Sequence, residues 1–217
     1  MGLTMRKVSL LATALALACP QALAQTPPPA AAAPAASVTV GVPKFMPEEI
    51  SGLELKELGG RSFRLSDFRG RVYVLNLWAT WCGPCRVEIP GFNKLHADYS
   101  ARGVEFVGLT TEDPELDGDK VRGFAREMGM KYRLGWLDRE TARVMGSWGP
   151  PRTPPRPGIS LPQTFVVGSD GQIVLHVRGY NARVPDMIRA GVEKALAFAQ
   201  AAPAAPDRPQ SGAPARP

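Results

Sequence analysis

The sequence predicts an α/β domain with a central sheet of mixed parallel and antiparallel strands and helices on both faces. The first observation is an apolar strand at Val72–Leu77, a helix from Cys82 to about Tyr99, and a second apolar strand at Val104–Thr110. A strand–helix–strand unit with short connections is typical of parallel strands joined by a crossover. The second observation is a hairpin that pairs Gln163–Val167 with Gln172–Val177. This hairpin supplies the antiparallel part of the sheet.

The remaining elements follow from turn residues and apolar periodicity. Gly59 and Gly60 separate Leu53–Leu58 from Ser62–Leu65, which predicts an added N-terminal hairpin. Pro90 lies inside the helix that starts at Cys82 and predicts a bend there. Three further helices and one short strand are predicted, in chain order, at Asp119–Met128, Tyr132–Leu134 (strand), Glu140–Trp148 and Pro185–Ala199.

The two ends of the chain differ in composition from its middle. Residues 1–24 carry a basic start, an apolar run at Val8–Ala18 and a small-residue motif at Ala22–Ala24. These are the features of a secretory signal peptide, and we expect cleavage after Ala24. Segments 25–44 and 201–217 are rich in Pro and Ala and predict a disordered linker and tail. One globular domain is therefore expected at 45–200.

Export would place the protein in the periplasm, an oxidising compartment. The chain has three cysteines, and cleavage after Ala24 removes Cys19. An alternative is that Cys19 is a lipid attachment site and the protein is anchored to the membrane. The formal charge is +6, and loss of Arg6 and Lys7 with the signal segment lowers it to +4. This weak, dispersed charge gives no indication of nucleic-acid binding.

The remaining cysteines, Cys82 and Cys85, are separated by Gly83 and Pro84 at the start of a predicted helix. Both sulfurs then lie within one helical turn. Unpaired backbone N–H groups and the helix dipole favour an anion at this position. We therefore expect the pKa of Cys82 to be lowered, which makes it the attacking nucleophile. Proline is tolerated in the first helical turn.

A metal site is the main alternative for the cysteine pair. Structural zinc requires four ligands, and the mature chain adds only His96 and His176 to the two cysteines. The two histidines fall on a helix and on a distant strand and are interpreted as surface or packing residues. We therefore predict no resident metal. Binding of Cu(I) by the pair, in a copper-site assembly factor, remains an alternative.

The wider motif resembles the TlpA/ResA-like branch of thioredoxin-fold proteins. The resemblance is carried by Leu65–Val72, by Asn76–Cys85 and by Leu161–Phe165. It implies a thioredoxin-like three-layer sandwich and an exported thiol–disulfide oxidoreductase that keeps the thiols of other proteins reduced, for example during cytochrome c maturation. It also implies a monomer that needs no cofactor and receives electrons from a membrane thiol reductase. The dipeptide Gly83-Pro84 matches that of reducing thioredoxins.

The resemblance also assigns site residues. Pro162 matches the cis-proline that faces the cysteine pair and presents the backbone of Leu161 to substrate. Asn76 occupies the position of a buried aspartate in cytosolic thioredoxins, and an amide does not titrate. Glu88, three residues after Cys85, matches the active-site glutamate of ResA-like proteins. A solvated acid that only complements the helix dipole is the alternative for Glu88.

Trp81 is expected to form a contact surface for substrate beside Cys82, with Gly83, Pro84 and Leu161 as further substrate-binding residues. An oxidant or isomerase on the same fold is the nearest alternative activity, and a peroxidase with a single reactive cysteine is a more distant one. The Pro- and Arg-rich segment Gly149–Ser160 departs from the family pattern. It is interpreted either as a docking element for protein partners or as a tolerated surface insertion.

Overall fold

An eight-stranded sheet forms the centre of the domain in the computed structural model, which describes residues 37–38, 42–149 and 158–201. The predicted signal segment, the tail after 201 and residues 150–157 of the insertion lie outside the described residues. In chain order the strands are β1 (Ser37–Val38), β2 (Leu55–Glu57), β3 (Ser62–Phe63), β4 (Tyr73–Trp78), β5 (Glu105–Thr110), β6 (Arg133–Trp136), β7 (Gln163–Val167) and β8 (Ile173–Arg178). Their order across the sheet is β1-β8-β7-β4-β5-β6-β2-β3.

The described residues form five α-helices beside the sheet: α1 (Glu48–Ser51), α2 (Gly83–Tyr99), α3 (Pro114–Glu127), α4 (Arg139–Ser147) and α5 (Val184–Ala201). Buried side chains from α2, α3 and α5 form one apolar cluster against the sheet. Buried side chains from α4 and from the segment around α1 form a second cluster with the opposite set of strand residues. The structure therefore confirms the predicted mixed sheet with helices on both faces.

At β4 the pairing of the strands changes from parallel to antiparallel. It pairs in parallel with β5 and antiparallel with β7, and β5 pairs in parallel with β6. All six residues of β4 are buried, because helices cover both faces of the sheet at this point. Successive side chains alternate between the two apolar clusters, as the pleat of a strand requires: Val74 and Trp78 belong to the cluster with α2, α3 and α5, whereas Leu75 and Leu77 belong to the other.

Several element boundaries differ from the prediction. The helix predicted to begin at Asp119 begins at Pro114, because the Asp113 side chain caps it by accepting the backbone N–H groups of Glu115 and Leu116. An aspartate followed by a proline is a helix-start signal, and the prediction missed it because it rested on apolar periodicity. The strand predicted at Tyr132–Leu134 runs from Arg133 to Trp136, in register with the last four residues of β5.

The N-terminal hairpin is present and joins the edge of the sheet, since β2 pairs antiparallel with both β3 and β6. Gly60 lies in its turn with φ of +92°, a conformation that favours glycine. Within the segment expected to be a disordered linker, Ser37–Val38 forms strand β1 on the opposite edge, antiparallel to β8. No helix among the described residues is both long and apolar enough to cross a membrane.

Candidate active site

The two cysteines lie at the N-terminus of α2, directly after β4. Cys82 is the capping residue of the helix, and Cys85 lies in its first turn. Their sulfurs are joined by a disulfide bond with an S–S distance of 2.01 Å, and the backbone N–H of Cys85 points at the Cys82 sulfur at 3.2 Å. Cys85 is fully buried, whereas Cys82 retains 4% of its surface. The predicted pairing is therefore present, and Cys82 is the more accessible partner.

Pro162 reaches the same edge of the sheet because β7 runs antiparallel to β4. Leu77, near the end of β4, pairs with Gln163, the first residue of β7. Pro162 therefore lies beside the point at which the chain leaves β4 for the cysteines, although 80 residues separate Pro162 from Cys82. The Leu161–Pro162 peptide bond is cis, as the resemblance implies. Pro162 is buried, and Leu161 is half-buried.

Glu88 is buried beneath the first turns of α2, with 2% of its surface exposed. Its carboxylate accepts hydrogen bonds from the Asn76 amide (Nδ2 to Oε2, 2.8 Å) and from the Thr164 hydroxyl (Oγ1 to Oε1, 3.0 Å). The same Asn76 amide group also donates to the Thr164 oxygen at 2.9 Å. Residues from β4, α2 and β7 thus form a closed polar triangle below the cysteine pair.

Burial raises the pKa of Glu88 to about 7, against the hydrogen bonds from Asn76 and Thr164, which lower it. The solvated, dipole-complementing interpretation of Glu88 is therefore wrong. Tyr132 is affected by the same group: burial raises the pKa of its phenol, and the Glu88 charge raises it further. A carboxyl that titrates near neutrality is suited to exchanging protons with thiols.

Glu112 is a buried carboxylate near the site that sequence reasoning missed. It follows β5 and accepts hydrogen bonds from Thr80, both from the backbone N–H (2.8 Å) and from the hydroxyl (2.5 Å). Lys120 on α3 donates to the same carboxylate at 2.9 Å. Burial alone would raise the pKa of Glu112, but the bonds from Thr80 and Lys120 outweigh it and lower the pKa. Glu112 is therefore an anion, and its hydrogen bonds to Thr80 hold the loop that leads into Cys82.

Exposed residues surround the cysteine pair. Trp81 is 64% exposed, and Gly83, Pro84 and Val87 are also exposed. An apolar surface next to a reactive sulfur is suited to contacting a polypeptide. Trp78, four residues before Cys82, is instead fully buried and stacks on Phe124 with ring centroids 5.4 Å apart. Trp78 is therefore part of the core, whereas Trp81 lies on the surface, where a contact with substrate was expected.

Neither histidine lies with the cysteines in a ligand cluster. His96 packs against Phe106 and Tyr132, and His176 stacks on Phe165. Within the described ranges, no group of three or more His, Cys, Asp or Glu side chains is arranged to hold a metal ion.

Two signals could have located the missed residues. The carboxyl ends of the parallel strands β4 and β5 meet at one edge of the sheet, which places Glu112 near the cysteine loop. Thr164 pairs with Asn76 in the antiparallel register of β4 and β7, which brings its hydroxyl to Glu88. Residues 150–157, the middle of the Pro- and Arg-rich insertion, lie outside the described residues, so the docking interpretation stays a prediction.

Comparisons with known proteins agree with this geometry. The family model described as AhpC/TSA family matches residues 47–176. The thiol:disulfide interchange protein HelX of Rhodobacter capsulatus is 35% identical over 146 residues, which are 63% of this chain and 73% of HelX. The thiol-disulfide oxidoreductase ResA of Bacillus thuringiensis is 27% identical over 132 residues, which are 61% of this chain and 69% of ResA.

The solved structures share the fold. A thiol:disulfide interchange protein of the thioredoxin family from Chlorobium tepidum matches with a TM-score of 0.54 at 23% identity, covering 75% of this chain and 99% of that chain. The pairing of β4 with β5 and β7, the cysteine pair at the start of α2 and the cis bond before Pro162 all fit this fold. The chain belongs to the AhpC/TSA family and is a thiol–disulfide oxidoreductase of the ResA and HelX kind.

Proposed function

We propose that this protein is a periplasmic reductase that transfers two electrons from the Cys82–Cys85 dithiol to disulfides of exported proteins. The observation that carries the proposal is the position of the cysteine pair at a helix N-terminus, beside cis-Pro162 and above the buried Glu88. The relatives named thiol-disulfide oxidoreductase and thiol:disulfide interchange protein support the reaction class. Gly83-Pro84, the dipeptide of reducing thioredoxins, supports the direction.

The reaction is two successive thiol–disulfide exchanges. The Cys82 thiolate attacks one sulfur of the substrate disulfide, so a mixed disulfide forms and one substrate thiolate leaves and takes up a proton. Cys85 then loses its proton and attacks the Cys82 sulfur. The Cys82–Cys85 bond forms, the second substrate thiol is released, and the substrate has gained two electrons and two protons. An external dithiol must then return the enzyme to its reduced form.

Glu88 is proposed to accept the proton of Cys85. It lies three residues later in α2, its carboxyl is buried, and its pKa of about 7 leaves it partly ionised at neutral pH. Asn76 cannot perform this role because an amide does not titrate, but it orients the carboxylate through its hydrogen bond to Oε2.

Substrate recognition is proposed to involve Trp81, Gly83 and Pro84 on one side and the backbone of Leu161 before cis-Pro162 on the other. In the described part of the chain, the backbone N–H and C=O of Leu161 form no hydrogen bond. A substrate segment in extended conformation can therefore pair with them without displacing an internal bond.

The reduction potential tests the direction of the reaction. Equilibration of the protein with dithiothreitol redox buffers, read by thiol alkylation and mass spectrometry, is expected to give a potential near that of thioredoxin, about −270 mV. A potential near that of strong periplasmic oxidants, about −120 mV, would contradict the reductase proposal and favour the oxidant alternative.

Trapping tests the substrate and the electron donor. In Cys85→Ala the resolving sulfur is absent, so the mixed disulfide on Cys82 should persist and partners can be identified by mass spectrometry after purification. We expect exported proteins with paired cysteines, cytochrome c precursors among them, together with a membrane thiol reductase. Cys82→Ala/Cys85→Ala is the control and should trap nothing. Partners that persist in that double variant would contradict the proposal.

Export and oligomeric state are part of the same proposal. Residues 1–24 are expected to be removed after Ala24, which would leave a soluble periplasmic monomer with two cysteines. N-terminal sequencing of the mature protein from the periplasmic fraction tests the cleavage. A fatty acid on Cys19, detected by mass spectrometry, would support the anchored alternative instead.

A further inference from the structure

A buried hydrogen-bond chain leads from β8 to the residues before cis-Pro162. The His176 ring nitrogen Nε2 lies 2.8 Å from the Gln163 side-chain oxygen Oε1, and the Gln163 amide nitrogen donates to the Ser160 backbone carbonyl at 3.0 Å. Gln163 is fully buried, and His176 retains only 3% of its surface.

The direction of each bond follows from the chemistry of the groups. A carbonyl oxygen only accepts, so the Gln163 amide nitrogen must face Ser160, and its oxygen must then face His176. A ring nitrogen that faces an acceptor must carry a proton, which fixes the His176 proton on Nε2. Burial, together with the charge of Arg178, lowers the pKa of His176 to about 4, so the ring is neutral near pH 7.

The ring itself has a rigid support. His176 pairs with Phe165 in the antiparallel register of β7 and β8. The two rings stack with centroids 4.3 Å apart and planes within 3° of parallel. Trp148 meets Phe165 edge-on at 5.7 Å. The donor that orients Gln163 is therefore held by aromatic packing in the core.

The hydrogen bonds of Gln163 and His176 fix one of the two backbone carbonyls that flank Leu161. The Gln163 side chain donates to the Ser160 carbonyl, which precedes Leu161. The backbone N–H of Gly179 donates to the Pro162 carbonyl, which follows Leu161, at 2.8 Å. Leu161 itself is left half-buried, with its backbone groups available for a substrate segment. Removal of the Gln163 bond would release the peptide unit on the N-terminal side of Leu161.

We propose that Gln163 and His176 are positioning residues for substrate, which hold the backbone of Leu161 in the geometry that pairs with a polypeptide. This inference rests on the proposed recognition of substrate at Leu161. It predicts an effect on polypeptide disulfides but none on small disulfides, because only a polypeptide extends from the cysteines to Leu161. Sequence reasoning interpreted His176 as a surface or packing residue, and its hydrogen bond to Gln163 adds a role to its packing.

Single-turnover kinetics of the full-length mature protein test the inference. The reduced protein is mixed with increasing amounts of a peptide that contains one disulfide, or with hydroxyethyl disulfide, and quenched samples are analysed by chromatography. His176→Phe keeps the stack on Phe165 but removes the N–H donor, and Gln163→Leu removes both links. We expect either variant to raise the half-saturating peptide concentration about threefold to tenfold, the effect of one lost neutral hydrogen bond. The rate with hydroxyethyl disulfide should stay within about twofold of the wild type.

Two further variants separate positioning from folding. In His176→Gln the amide nitrogen can take the place of Nε2, so this variant should restore the wild-type half-saturating concentration. His96→Phe, a change in the other histidine of the domain, is the matched control and should alter neither probe. In the double variant His176→Phe/Gln163→Leu, the half-saturating peptide concentration should equal that of Gln163→Leu alone. Both changes interrupt the same series of hydrogen bonds, so their effects should not add.

The outcomes distinguish this inference from the proposed direction of the reaction. Three results would overturn the positioning role. They are an equal loss of reactivity with peptide and with hydroxyethyl disulfide, additive effects in the double variant, and an unchanged half-saturating peptide concentration. If the wild-type dithiol reduces neither disulfide, the reductase proposal fails. The same variants are then tested in their oxidised form with the dithiol form of the peptide. The half-saturating peptide concentration of each variant relative to wild type decides the positioning role in that case.

Discussion

The Thr164 hydroxyl donates a hydrogen bond to the buried Glu88 carboxylate at 3.0 Å, across 76 residues of chain. This bond joins the helix that carries the cysteines to the strand that starts after cis-Pro162. Both sides of the candidate site therefore meet at one carboxyl group whose pKa lies close to neutral. The protonation state of Glu88 should affect both the stability of the domain and the exchange reaction.

The pH dependence of stability is expected to report on Glu88. Between pH 4.5 and about 7 the unfolded chain loses the Glu88 proton while the folded chain retains it. The free energy of unfolding should therefore fall by about 1.4 kcal/mol per pH unit from this group as pH rises, roughly 3 kcal/mol in all. Glu88→Gln should lack this component, so its stability relative to wild type should improve from pH 4.5 to 7.5, as measured by denaturant unfolding of the oxidised proteins.

The matched control for this measurement is Glu127→Gln, at an exposed position on α3. Its stability relative to wild type should show no such trend. If the difference between Glu88→Gln and wild type were also constant with pH, Glu88 would not titrate in this range.

Thr164→Val is expected to raise the pKa of Glu88 further. The substitution removes a donor to the carboxylate and leaves one Asn76 N–H without its acceptor. The midpoint of the Glu88 titration, followed by carbon NMR of the labelled carboxyl, should rise by about one pH unit. Thr110→Val is the control, because the Thr110 hydroxyl donates to Glu112. A rise of the same size in Thr110→Val would show that the Thr164 bond is not the cause.

Glu112→Ala should destabilise the domain and slow the reaction of Cys82. The Thr80 N–H, the Thr80 hydroxyl and the Lys120 ammonium would lose a buried partner. Denaturant unfolding should show a loss of about 2–4 kcal/mol. The rate of Cys82 with hydroxyethyl disulfide should fall, because the loop before Cys82 is no longer held.

Asp117→Ala removes the other acid paired with Lys120, at 3.3 Å on the same helix. Because this pair is exposed, its loss should cost less than about 1 kcal/mol and leave the rate unchanged. Similar effects of the two substitutions would contradict a specific role for Glu112.

Trp81→Ala should reduce reactivity with polypeptides without loss of stability. The side chain is 64% exposed beside Cys82, so its removal costs little packing in the free protein. The second-order rate constant for a disulfide-containing protein should fall about tenfold. Phe198→Ala is the matched control, since Phe198 is 60% exposed on α5. An equal fall in both variants would point to a general effect of surface apolarity.

The sequence predicted most of the fold and the centre of the site because those features depend on local patterns. β4 and α2 follow from an apolar run, a capping cysteine and a proline in the first turn. The Thr80–Glu112 and Glu88–Thr164 contacts join residues 32 and 76 positions apart, and only the strand register brings them together. β1 was missed because a two-residue strand in a Pro- and Ala-rich segment depends on the adjacent β8 for its pairing.

The antiparallel register between β4 and β7 has an evolutionary consequence. Five residue pairs, from Tyr73 with Val167 to Leu77 with Gln163, fix the start of β7 independently of the chain that precedes it. Gly149 and Gly158, at φ of +96° and +88°, stand on either side of positions 150–157, which lie between α4 and β7 in the sequence. Insertions and deletions between these two glycines can therefore accumulate in a lineage, and new specificities can be selected there while the cysteine pair and Pro162 stay in place.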